Sequence, residues 1–234
     1  MYADVSSGRP LVGGTANAAL ACAALVRAYR VFGEPAYLDV ACEAGTSYYD
    51  RFVAKGLSYG GPNDALMAPD SESAAALLES LVTLAEEKHS EEWIRRAKVA
   101  AHLLSSWVVS YQYVFPEDSE FGRLAINTTG AVFANAQNKH AAPGLCTCSG
   151  DALYRLYKLT GDHAYLELCR DIAAFIPQTV STSVRPIHDR EKGCPMPEGW
   201  INERVNMSDW EGAKFVGGVF YGTCWCTTAF MCTC

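Results

Sequence analysis

The sequence predicts an all-α fold, an αα-hairpin toroid of which about three and a half hairpins are present. Three observations predict it. One junction type recurs: Gly33-Glu34-Pro35-Ala36-Tyr37-Leu38, His89-Ser90-Glu91-Glu92-Trp93-Ile94 and Gly161-Asp162-His163-Ala164-Tyr165-Leu166. From Tyr37 to Trp93 is 56 residues and from Trp93 to Tyr165 is 72, room for a helix pair and a variable loop. Apolar residues recur at helical spacing on both sides of each junction, and the connections between helices alternate between short and long.

The first helix carries Cys22, Leu25, Val26, Tyr29 and Phe32 on one face, and the second Leu38, Ala41, Gly45, Tyr48 and Phe52. Ala74, Leu77, Leu78, Leu81, Leu84 and Ala85 mark the third; Ile94, Ala97, Ala101, Leu104, Val108 and Tyr111 mark the fourth. The fifth holds Leu153, Leu156 and Tyr157, the sixth Tyr165, Cys169, Ile172, Ala173 and Ile176, and a seventh is expected to begin near Gly218. Pro35 fits a first helical turn, and Ser90 and Asp162 are good N-caps, because their side-chain oxygens accept from backbone N–H groups that the helix leaves unpaired. No alternating strand pattern competes over comparable length.

Turns near 33, 88 and 161 are short, whereas the connections at 54–70, 112–145 and 178–217 are long. In a ring of antiparallel hairpins every second connection lies at the same end, so the three long loops are expected to share one rim. Residues 1–234 are expected to form one domain, cut short at one or both ends. The last residues, Met231-Cys232-Thr233-Cys234, stand in an apolar stretch with no stop signal.

Half of the 234 residues are hydrophobic and 19% are charged, a composition that supports a sizeable core. A formal charge of −7 without a Lys or Arg cluster argues against a nucleic-acid surface. The apolar run from Ala18 to Val26 is too short to span a membrane, and no basic stretch precedes it. Ten cysteines include the pairs Cys146/Cys148, Cys224/Cys226 and Cys232/Cys234. Residues two apart on a helix diverge by about 200°, and zinc-module spacing is missing, so no metal site and no cofactor are expected. Many unpaired thiols favour a reducing compartment, the cytoplasm.

The junctions, the one-sided long loops and the segments Asn135 to Gly144 and Asn202 to Gly212 together resemble the six-hairpin glycosidase-like group. That resemblance implies an (α/α)6 toroid and a carbohydrate-active enzyme working on oligosaccharides, uronate-containing ones among them. A closed six-hairpin barrel needs more hairpins than this chain supplies.

Glycoside hydrolysis needs two carboxyls across the sugar, one as acid and one as nucleophile or base. Glu203, Asp209 and Glu211 lie close together in sequence around Trp210, whose indole suits stacking on a sugar ring. Asp209 or Glu211 is the expected acid, and Glu203 or Asp70 its partner. Asn135, Gln137 and His140 would contact sugar hydroxyls, and Arg185 and His188 a uronate carboxylate. Asp70, Glu72 and Asp151, at helix starts on the same rim, are minor substrate-binding candidates, although capping explains Asp70 and the helix dipole explains Asp151. Two rivals stand beside hydrolysis: a polysaccharide lyase or sugar epimerase on the same toroid with a His or Tyr base, and a non-catalytic helical-repeat scaffold that self-associates through exposed hairpin faces.

Overall fold

The computed structural model describes residues 2–16, 18–61, 67–145, 150–189 and 193–220. The described residues form helices α1 (Leu20–Phe32), α2 (Pro35–Arg51), α3 (Ser71–Lys88), α4 (Glu91–Ser105), the short α5 (Glu120–Arg123), α6 (Asp151–Thr160) and α7 (His163–Phe175). Two small antiparallel ribbons accompany them, β1 (Tyr2–Ala3) with β2 (Pro10–Val12) and β3 (Val132–Phe133) with β4 (Ala141–Ala142). The chain is therefore mostly helical. The ribbons are too short to leave an alternating pattern in the sequence.

The recurring junction is one local device built three times. The first helix of each pair ends on a left-handed residue, Gly33, His89 or Gly161, whose N–H donates to the carbonyl of Tyr29, Ala85 or Tyr157. The next residue, Glu34, Ser90 or Asp162, is extended and its side chain accepts from an N–H of the following first turn. Pro35 then opens α2, where its missing donor costs nothing. His89 holds the left-handed position at φ 48° without the glycine that elsewhere relieves it.

α1, α3 and α6 form one row and α2, α4 and α7 a second row outside it. α1 packs on α3 and α3 on α6, while α2 also reaches α3 and α4 also reaches α6. Being covered on several sides, α3 is buried from Ser73 through Ala85, which is why its sequence is small or apolar nearly all round. The N-cap of α1 is Ala19, which offers no capping side chain. Ser80 of α3 takes that role from across the interface, accepting from Ala23 N at 3.2 Å and donating to Ala19 O at 2.6 Å. Gly45 of α2 is a packing requirement, since a Cβ there would meet Leu84 and the Trp93 ring.

A dense ion network ties the inner row together. Glu79, nearly buried on α3, pairs with Arg27 of α1 and with Arg155 of α6. Arg155 also binds Glu86 of α3, Asp151 one turn earlier on its own helix, and Thr83 Oγ1 at 2.7 Å. Burial opposes the charge of Arg155, but Glu86 and Glu79 outweigh it and hold the guanidinium well above its ordinary pKa.

α4 ends at Ser105, so Val108 and Tyr111 do not continue its apolar face. Val108 instead bridges Val132, and Tyr111 is exposed. Gly218 to Phe220 are irregular, and the rest of the expected seventh helix lies outside the described residues, as do the three C-x-C pairs. The first hairpin leaves Leu20, Val31, Phe32, Tyr37 and Val40 exposed. Among the described residues no helix is long and apolar enough to cross a membrane.

Candidate functional site

The second long connection is hydrogen-bonded both to the first and to the third. Ser71 N donates to Ala134 O at 2.9 Å and Ala136 N to Pro69 O at 2.9 Å, joining the first loop to the second. Val205 N donates to Ala141 O at 2.6 Å, joining the third loop to β4, and Phe121 N donates to Gly217 O at 2.8 Å. Gly130, at φ 90°, allows the second loop to pass against the Asp171 carbonyl of α7, where a Cβ has no room.

In the third loop, residues 202–206 run beside 217–220. Glu203 N donates to Phe220 O at 3.2 Å, Phe220 N to the Asn202 side-chain oxygen at 2.7 Å, and Gly217 N to Asn206 O at 2.8 Å. Residues 207–216 are thereby set out as an excursion with fixed ends. At its turn Gly212 N donates to Asp209 O at 2.8 Å, and Gly212 takes φ 117°, open to a residue without Cβ. That turn exposes Asp209 and Glu211 and leaves Trp210 52% accessible.

Arg204 lies beneath this turn. Its guanidinium lies 3.6 Å from the Phe220 ring centroid, its Nη2 donates to Glu211 Oε1 at 2.7 Å, and its side chain is only 12% accessible. Its Nε is buried with no hydrogen-bond partner among the described residues.

No protein-family model matches the chain, and no curated protein matches its sequence. The reading of the site therefore rests on its geometry.

The structure brings Asp209, Trp210 and Glu211 to one exposed turn and fixes Glu203 by backbone pairing at its base. The remaining candidates have other surroundings. Asp70 is fully buried and caps α3, its carboxylate accepting from Ser73 N at 2.5 Å, Ser73 Oγ at 3.0 Å and Gly61 N at 3.1 Å. Burial pushes its carboxyl up against the lowering effect of those hydrogen bonds. Glu72 follows in the first turn of α3, half-buried. Asp151 is in the first turn of α6 and pairs with Arg155 at 3.2 Å.

Asn135 is buried, and its side-chain oxygen accepts from Asn138 N at 2.7 Å, closing an Asx-type turn that leaves Gln137 exposed and His140 half-buried. Arg185 spends Nη1 on Gln178 O at 2.8 Å and Nη2 on Leu124 O at 3.2 Å; burial and the neighbouring Arg123 lower its pKa. His188 donates its backbone N–H to Glu120 at 2.6 Å, and its Nδ1 stands 3.0 Å from Arg123 Nη2. Arg185 and His188 thus tie the third loop to α5 and its flank.

Most loop aromatics pack beneath the rim. Phe115 and Phe121 are buried, and with Gln112, Tyr113 and Ile126 they line an open surface cleft. Tyr59 packs edge-on against Phe52 at 5.2 Å, and Trp200 borders a small hollow with Asp189, Met196 and Val219. Among the described residues no group of three or more His, Cys, Asp or Glu side chains is arranged to hold a metal ion. Sequence reading missed Arg204. The available signal was its place as the one arginine between Glu203 and Glu211, in a segment otherwise rich in acids.

Proposed function

We propose that the chain is a glycoside hydrolase acting on an oligosaccharide, and that its two-row hairpin stack is part of an αα-toroid of the (α/α)6 type. The observation that carries the functional reading is the 207–216 excursion: an exposed Trp210 between the Asp209 and Glu211 carboxylates, in the third of three long loops joined by hydrogen bonds. A flat indole beside acids and amides suits a sugar, whose apolar ring face stacks while its oxygens meet the carboxyls.

In this reading Glu211, hydrogen-bonded by Arg204 Nη2, serves as nucleophile or base, and Asp209 or Glu203 as the acid that protonates the leaving oxygen. Trp210 supplies the platform. The neighbouring-helix picture supports the toroid reading, because α2 also touches α3 and α4 also touches α6, the inner helix of the next hairpin in each case.

The test is hydrolysis of a panel of aryl glycosides and oligosaccharides. Wild type is expected to cleave at least one; Asp209→Asn and Glu211→Gln each lower kcat about 10²–10⁴-fold, and His140→Ala retains activity. The opposite pattern, with His140→Ala inactive and both acid variants active, would replace hydrolysis by proton abstraction on the same platform, as a lyase or epimerase requires.

A further inference from the structure

Three arginines among the described residues give a glutamate both Nε and Nη2; Arg27, Arg30, Arg96 and Arg204 give one of the two, and of these Arg204 is the one whose other nitrogen on that edge is buried and unpartnered among the described residues. Arg95 gives Nε and Nη2 to both oxygens of Glu92, Arg123 to both of Glu120, and Arg155 to both of Glu86. That two-bond fork is the preferred arginine–carboxylate geometry. Arg204 instead gives only Nη2 to Glu211 Oε1, while its Nε makes no hydrogen bond and Glu211 offers its second oxygen to none of the described residues. The fork is half filled.

A buried donor on a charged group without an acceptor is costly, by about 1–3 kcal/mol or more. The stacked Phe220 ring holds the guanidinium in place, so Arg204 does not swing out to solve the deficit in water. The vacant half of the fork has a donor on one side, Nε, and an acceptor on the other, the second oxygen of Glu211. A group that completes both must accept and donate at once. A hydroxyl does this; a carboxylate accepts only, and it would face Glu211 as a like charge.

We infer that the half-filled Arg204–Glu211 fork receives a sugar hydroxyl, and that the site beside Trp210 takes a neutral sugar in preference to a uronate. This rests on the glycosidase reading and narrows its substrate class. The local charge agrees: Glu203, Asp209 and Glu211 accompany a single arginine between residues 203 and 211. Arg185, which would have suited a uronate, is committed to two carbonyls, and Lys214 lies over the Phe215 ring. Glu211, the acceptor side of the fork, has a side chain about one-third exposed.

The test is ligand-observed NMR titration of the full chain at pH 7 with methyl glucoside, methyl galactoside, methyl arabinoside and methyl glucuronide. At least one neutral glycoside is expected to bind, with the glucuronide about tenfold weaker or worse. Arg204→Lys keeps the charge but removes Nε, and weakens the neutral glycoside about tenfold, with an unchanged protein spectrum as the folding control. Glu211→Gln removes the repulsion and strengthens glucuronide binding. A glucuronide that binds wild type as well as any neutral sugar, or neutral binding unaltered by Arg204→Lys, overturns the inference and leaves the glycosidase reading standing. No binding of any glycoside overturns both.

Discussion

Arg155 on α6 grips both carboxylate oxygens of Glu86 on α3, with Nε and Nη2 at 3.0 and 3.1 Å. The same guanidinium reaches Glu79 and Thr83, so one side chain joins the second hairpin to the third.

Arg155→Met is therefore expected to be costly. It leaves the nearly buried Glu79 with Arg27 alone and Glu86 without its fork. Breaking a buried pair from one side costs about 3–5 kcal/mol. Urea denaturation at pH 7 reads this directly. The double variant Arg155→Met/Glu86→Gln is expected to recover part of the loss, because it removes one of the stranded charges.

Gly45→Ala is expected to destabilise by about 1–3 kcal/mol. The added methyl meets the Leu84 side chain and the Trp93 ring, so α2 has to back away from α3 and α4. The sign is informative, since an exposed helical Gly→Ala change normally stabilises by about 0.5–1 kcal/mol. Thermal unfolding of the variant, paired with Gly45→Ala/Leu84→Val, distinguishes a local clash from a change in helix propensity.

Glu120 gives a pH signature. Burial raises its pKa, but hydrogen bonds from Arg123 and from the His188 backbone and ring outweigh this and hold the carboxyl below its ordinary value. A group with a lowered folded-state pKa contributes stability that is present above its unfolded value and is lost as the pH falls through the folded one. Glu120→Gln is expected to cost about 1–2 kcal/mol at pH 7, with the difference from wild type shrinking as the pH falls below the ordinary carboxylate range. Paired denaturation curves across that range measure it.

The legible parts of the fold were the ones written within a few residues. The αL residue, the capping side chain and the first-turn proline at residues 33–35 make their bonds between Tyr29 and Ala36, and the repeat of that device at 89–90 and 161–162 located the three hairpins among the described residues. Apolar periodicity found the buried faces of α2, α3 and α6, and that of α1 at Cys22 and Val26, whereas Phe32 at its end is exposed. It overran α4 by reading Val108 and Tyr111 into the helix, because β-branched and aromatic residues carry the same hydrophobic signal in a bridge or a loop as in a helix.

The site was only partly legible for the same reason. The cluster around Trp210 is local and was visible as a run of acids. That Asp70 and Asn135 are buried under the loops, and that Arg185 is occupied by carbonyls, depends on partners far away in the chain.

By itself, the sequence determined a mostly helical chain, the positions of three helix hairpins and the alternation of short and long connections, all consequences of backbone capping and of hydrophobic period, which act over one or two turns. Only the tertiary structure decided that Ser80 caps α1 from 57 residues away in sequence, that Arg155 finds Glu79 across 76, and that Arg204 meets Glu211 with half its fork unfilled. Those choices belong to packing: which donor finds which acceptor is set where helices and loops come into contact, and chain-local preferences do not encode that contact.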